Sequence, residues 1–190
     1  HTGDPRSFTS FEEFLAAYKI QLKYMVEQLF IINAFAEQEY SNLLSSPFLS
    51  ALTEGCIEQG KDLQHGGARY NFGPSVNMIG IADTADSLMT IKKLVFEEKK
   101  VSMEQLLQAL DSNFEQDPQL YYQILNDVEK YGNDIDEVDY LLNDIVMFVN
   151  KEIMKFKNIF GGTAQSGIIP VTSGITFGRV VGALPNGRKA

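Results

Sequence analysis

The sequence predicts an α/β fold that is mostly helical, and three observations predict it. Apolar residues recur at three- and four-residue steps through most of the first 160 positions. Helix starts marked by Ser, Pro or Asp separate those stretches. One apolar, β-branched run, Ile168-Ile169-Pro170-Val171-Thr172, follows the Gly161-Gly162 stop as a buried strand would. With 190 residues, 44 % apolar, 22 % charged and 11 % aromatic, the chain can fill one sizeable core or part of a larger one.

Ser10 followed by Glu13 is a capping box, in which hydroxyl and carboxylate satisfy amides left unpaired in a first helical turn. From there Phe11, Phe14, Leu15, Tyr18, Leu22, Met25, Val26, Leu29 and Ile32 predict a long helix to about Leu44 with one broad buried stripe. Pro47 opens a second helix through Phe48, Leu49, Leu52, Cys56 and Ile57, which Gly60 stops. Between Asp62 and Asp83, glycines divide the chain into loops and short extended pieces at Ala68–Phe72 and Val76–Ile81. Helical spacing returns at Leu88, Ile91, Leu94 and Val95 and breaks near Lys100; Ser102 and Gln105 form a second capping box. Pro118 starts the next helix, and a last long one covers Glu137 to about Ile159. Residues 1–160 are thus mainly helices, five or six in number, and 161–190 hold the buried strand, a second extended piece at Val180-Val181 and a turn.

Sixteen basic against twenty-five acidic residues give a net charge of -9, which disfavours a duplex-binding surface, so no nucleic-acid partner is expected. No stretch reaches the roughly 20 apolar residues that span a bilayer, and no secretory signal opens the chain; a cytoplasmic protein is expected. A single Cys56 and two histidines make neither a disulfide framework nor a zinc site. The start at His1 without Met, and the end on a Pro185-Asn186-Gly187 turn, suggest part of a longer protein.

Phosphate-loop glycine patterns do not occur, so nucleotide binding of that kind is rejected. Gly55-Cys56-Ile57-Glu58 places a thiol two residues from a carboxylate, but Cys56 also continues an apolar stripe with Leu49 and Leu52, and packing is the stronger reading. His65 lacks triad partners, and Asp134 and Asp136 fall where helix N-caps are expected. Residues 101–160 carry 12 acids and 4 bases, read as solvated helical faces. Residues 161–190 carry three bases and no acid, which either attract an anion or are simply exposed. Ile169-Pro170-Val171-Thr172-Ser173 is the one place where polar groups directly follow an apolar run, and such a strand end either faces a substrate or is simply packed.

Several separated stretches carry a family resemblance. Pro47 to Leu52, Cys56-Ile57-Glu58 with Gly60-Lys61-Asp62, and Gly66 to Phe72 resemble the region downstream of the active-site cysteine in glycyl radical enzymes. Gly80 to Asp83, Asp86 to Leu88, Lys92 to Lys99 and the stretches from Pro170 to Ser173 and Gly182 to Ala190 are similar to that family in the same order. The similarity is closest to its dehydratase, carbon–nitrogen lyase and decarboxylase branch.

The resemblance implies a mostly helical segment of a ten-stranded α/β barrel, with residues 1–190 part of a single larger barrel domain. It implies a radical lyase acting on a small polar molecule by dehydration or by cleavage of a C–N or C–C bond, usually a homodimer. A separate radical-SAM activating enzyme would install a glycyl radical outside this segment, with no other cofactor bound. The catalytic cysteine belongs upstream, so the Gly-Cys-x-Glu letters at Cys56 are a decoy and no catalytic residue carries over. Val171, Thr172 and Ile169 then run beside the substrate. The competing reading is a helical protein-interaction module without catalytic activity.

Overall fold

The computed structural model describes residues 2–190. Its helices are α1 (Phe11–Leu43), α2 (Pro47–Ala51), α3 (Cys56–Gln59), α4 (Ile81–Thr90), α5 (Met103–Asp111), α6 (Pro118–Asp127), α7 (Asp136–Ile153) and α8 (Gly174–Val181). Two strands, β1 (Ser75–Met78) and β2 (Gln165–Ile168), pair in parallel with Ser75 opposite Gln165 and Met78 opposite Ile168. The chain divides into two units, one of residues up to Gln21 with Ile79–Met147 and Ile169–Ala190, the other of Leu22–Met78 with Phe148–Ile168.

The first unit buries Leu88, Met89, Leu94, Leu106, Phe114, Ile124 and Val138. Its helices start as the residues dictate. Ser102 Oγ accepts the Gln105 N–H at 3.2 Å while Gln105 Oε1 accepts the Ser102 N–H at 2.9 Å, and Asp117 Oδ1 accepts the Leu120 N–H at 3.0 Å before Pro118. At α1, Ser10 Oγ accepts the Glu13 N–H at 3.2 Å, but the Glu13 carboxylate reaches back to the N–H and hydroxyl of Thr9 instead of Ser10. Helix α4 continues without a break into a π-helical stretch, Ile91–Glu97, which ends where Lys99 takes φ 51°.

In the second unit Phe30 of α1 stacks on Phe156 with ring centroids 4.3 Å apart, and Val26, Cys56, Ala68, Ile153 and Ala164 are buried. Chains cross closely here. A Cβ on Gly73 would stand 2.4 Å from the Thr163 carbonyl, and one on Gly162 2.1 Å from the Asn71 carbonyl.

Six expectations need correction, the first being the broad buried stripe of α1, of which Met25, Leu29 and Ile32 are exposed. The strand lies at Gln165–Ile168, three residues earlier than the β-branched run suggested, because Pro170 has no N–H to donate to a ladder. Val180-Val181 is the last turn of α8, not an extended piece. The helix expected from Pro47 to Gly60 is split into α2 and α3, since Gly55 at φ 98° lies against Arg69, whose backbone N would be 2.5 Å from any Cβ. Ala68–Phe72 forms no strand. Helix α7 stops at Ile153 because the next residues fold back: Ala164 N–H bonds to the Phe156 carbonyl at 3.0 Å, Lys157 bridges Thr163, and Asn158 Oδ1 accepts from Gly162 N–H at 2.7 Å.

Candidate functional site

Each strand is followed at its C-terminal end by a helix, β1 by α4 through Ile79-Gly80 and β2 by α8 through residues 169–173. In parallel β/α architectures the segments just past the strand ends are where ligands are met. The three residues singled out from the sequence lie in that irregular segment after β2, not in the strand itself. Ile169 is 42 % and Val171 38 % exposed, and Thr172 is exposed as well. Together they offer aliphatic surface and one hydroxyl, which can shape and hydrogen-bond a small ligand but supply no acid, base or metal ligand.

The other chemistry-bearing residues are engaged elsewhere. Cys56 is 3 % exposed and packs at the start of α3, and the Glu58 carboxylate caps that helix by accepting the Gly55 N–H at 3.0 Å. Leu49 and Leu52, read as sharing a buried stripe with Cys56, are exposed, so only the thiol of that stripe is packed. Gly182 caps the C-terminus of α8. Among the described residues no group of three His, Cys, Asp or Glu side chains is placed to hold a metal ion. His65 ends a short 3₁₀ turn whose cap is Asp62.

Asp62 is a hub that sequence reasoning passed over. Its carboxylate accepts from the N–H groups of Gln64 (2.8 Å) and Ser46 (2.9 Å) and from the Ser50 hydroxyl (3.0 Å), and these bonds, the Gln64 amide foremost, hold its pKa below the ordinary 3.8. In the first unit, burial pushes the Asp86 carboxyl up even though it accepts the Tyr131 N–H at 2.7 Å, and burial pushes Lys130 down. The second unit also has a cavity of about 330 Å³ lined by Glu37, Tyr40, Gln64, Tyr70, Asn71 and Phe160. Its lining comes from α1, the 63–72 loop and the turn after α7, segments too far apart in sequence for any spacing rule to join.

Of the three bases in residues 161–190, Arg179 and Lys189 are exposed and Arg188 is half-buried. Arg188 Nη1 donates to Asp83 Oδ2 at 2.9 Å, Asn186 Nδ2 donates to Asp83 Oδ1 at 2.7 Å, and the Lys189 ammonium lies 4.6 Å from the centre of the Tyr121 ring.

With this geometry in hand, similarity to known proteins is informative. The model of the pyruvate formate lyase-like family matches residues 1–178. A trans-4-hydroxy-L-proline dehydratase of Clostridioides difficile is 41 % identical over 187 residues, covering 98 % of this chain and 24 % of the dehydratase. An isethionate sulfite-lyase of Nitratidesulfovibrio vulgaris is 36 % identical over 200 residues, covering 100 % of this chain and 23 % of that enzyme. The glycerol-bound, B12-independent glycerol dehydratase of Clostridium butyricum superposes with a TM-score of 0.93 at 36 % identity, over 99 % of this chain and 24 % of its own. The chain therefore spans about a quarter of the length of the relatives it matches. No helix among the described residues is long and apolar enough to cross a membrane.

Proposed function

The chain belongs to the pyruvate formate lyase-like family, and from that premise we propose that it is a segment of a glycyl radical lyase, a mostly helical part of the barrel that supports the substrate pocket without carrying the radical chemistry. The observation that carries this reading is end-to-end superposition on a radical dehydratase at a TM-score of 0.93 from only a quarter of that enzyme's length. The parent enzyme acts on a small polar molecule that loses water or another leaving group, as the names of the relatives indicate for those proteins. A stored glycyl radical, where present, supplies hydrogen-atom abstraction through a cysteine thiyl.

The residues of this chain are assigned no radical-bearing position: Cys56 is packed as the first residue of a helix, α3, and not in a loop. Their part is to position and to line. The segment after β2 brings Ile169, Val171 and Thr172 to the place where a parallel strand hands over to a helix, and there they border the substrate, the aliphatic pair limiting water and the Thr172 hydroxyl offering one hydrogen bond. A separate radical-SAM activating enzyme, a homodimeric assembly and a cytoplasmic location belong to the same proposal.

The test starts with the intact mass of the native polypeptide in its source cells. A mass about four times the 21.3 kDa of this chain supports the reading. The anaerobically activated protein should then show an organic radical by electron paramagnetic resonance that persists while hydroxyproline, a vicinal diol or a hydroxysulfonate is consumed, because the abstracted hydrogen atom is returned in each cycle. A native mass near 21.3 kDa, or no radical after activation, overturns it.

A further inference from the structure

The Leu184–Ala190 turn is bonded to itself, to Asp83 of α4 and to Asn113 just past α5, and it packs against α6. Leu184 N–H donates to the Arg188 carbonyl at 2.8 Å, Gly187 N–H to the Leu184 carbonyl at 3.0 Å, and Arg188 N–H to Asn186 Oδ1 at 3.0 Å. Ala190 N–H reaches Asn113 Oδ1, just past α5, at 2.9 Å. Gly187 takes φ 93° and lies on α6, where an added Cβ would be 2.8 Å from Leu125 Cδ2. The tie to α4 is a single side chain, since both oxygens of Asp83 are engaged, Oδ1 by Asn186 and Oδ2 by Arg188.

We infer that Asp83 is a positioning residue, a two-oxygen clamp that fixes the conformation of the Leu184–Ala190 turn and the direction of the backbone at Ala190. Only a carboxylate does this. An amide at the same place keeps one acceptor but turns two N–H donors toward the Arg188 guanidinium, which itself has donors only. Arg188 Nη1 is therefore engaged structurally, while its Nε is buried without a hydrogen-bond partner among the described residues. Both partners are about one-third exposed, with side chains at 31 % for Arg188 and 35 % for Asp83, so the pair adds little to global stability. Its effect is local order, which amide exchange reads directly.

The experiment is hydrogen exchange with mass-spectrometric readout on the polypeptide as its source cells make it, comparing D83A, D83N, R188A and D83A/R188A with the unaltered protein. In each single variant, peptides covering residues 184–190 should exchange about tenfold faster or more, while those covering α5 stay unchanged. The double variant should be no faster than the faster single, because the two changes break one interaction. Unchanged exchange at 184–190 in D83A, an equal rise in α5, or a double variant faster by the product of the singles would each overturn the clamp. D83N keeps the side-chain volume, so it decides the matter if D83A fails to fold. The readout does not depend on activity, and loss of the lyase reading would leave it intact.

Discussion

Gly67 shows how one position can constrain a whole crossing of chains. A Cβ there would stand 2.1 Å from the Lys61 carbonyl oxygen and 3.0 Å from that of Asp62, both backbone atoms that cannot swing away. Gly67→Ala is expected to destabilise the fold by about 3 kcal/mol or more, measurable as a fall in urea midpoint without a change in slope. Asp62, five residues earlier, makes the same loop sensitive to acid. Its pKa is lower folded than unfolded, so the stability it adds is fully present above the ordinary value of 3.8 and disappears as pH falls through the depressed value. Local exchange of residues 45–66 should therefore rise at acid pH, and Asp62→Asn should remove that dependence while raising exchange at neutral pH. Cys56, 3 % exposed, should resist maleimide in the native state and react at once in denaturant. Rapid native labelling would contradict the packing described for α3.

At the scale of the element, the clearest signals were the local ones. The Ser102 and Gln105 box is formed as its letters require, and Ser102→Ala is expected to cost about 1 kcal/mol, read by equilibrium unfolding. Pro47 and Pro118 both stand at the first helical position, and the long α1 ends within a residue of the expected place. These features depend on contacts within three or four residues. What escaped depended on distant partners. The location of β2 is decided by β1, ninety positions away in register, and by Pro170, so the β-branched letters of Ile168 to Thr172 misplaced it. The end of α7 is decided by the Asn158 turn, and the split between α2 and α3 by Arg69 lying against Gly55. Of the candidate site, the order of the residues after β2 was legible, whereas the Asp83 clamp was not, because 103 residues separate Asp83 from Asn186.

For the whole molecule the informative quantity is the apolar surface that each unit leaves uncovered. In the second unit α1 presents Met25, Ile32 and Phe35, the last 71 % exposed, and α2 presents Phe48; in the first, α8 presents Ile175 and Val180, the latter 83 % exposed. The sequence placed Met25 and Ile32 on a buried stripe, yet among the described residues nothing covers them. Single exposed apolar side chains are ordinary, but whole helical faces of them are not, and they mark surfaces that meet other protein. The lyase reading assigns that role to the remaining three quarters of the parent, and the interaction-module reading to a separate partner. The two differ in what the 190 residues do when produced alone. A segment of a barrel should bind 1-anilinonaphthalene-8-sulfonate strongly and sediment as a concentration-dependent mixture, whereas the full-length polypeptide does neither. A self-sufficient module should sediment as one species with a cooperative melt, and that result would shift the argument from buried barrel surface to a docking face held open for a partner.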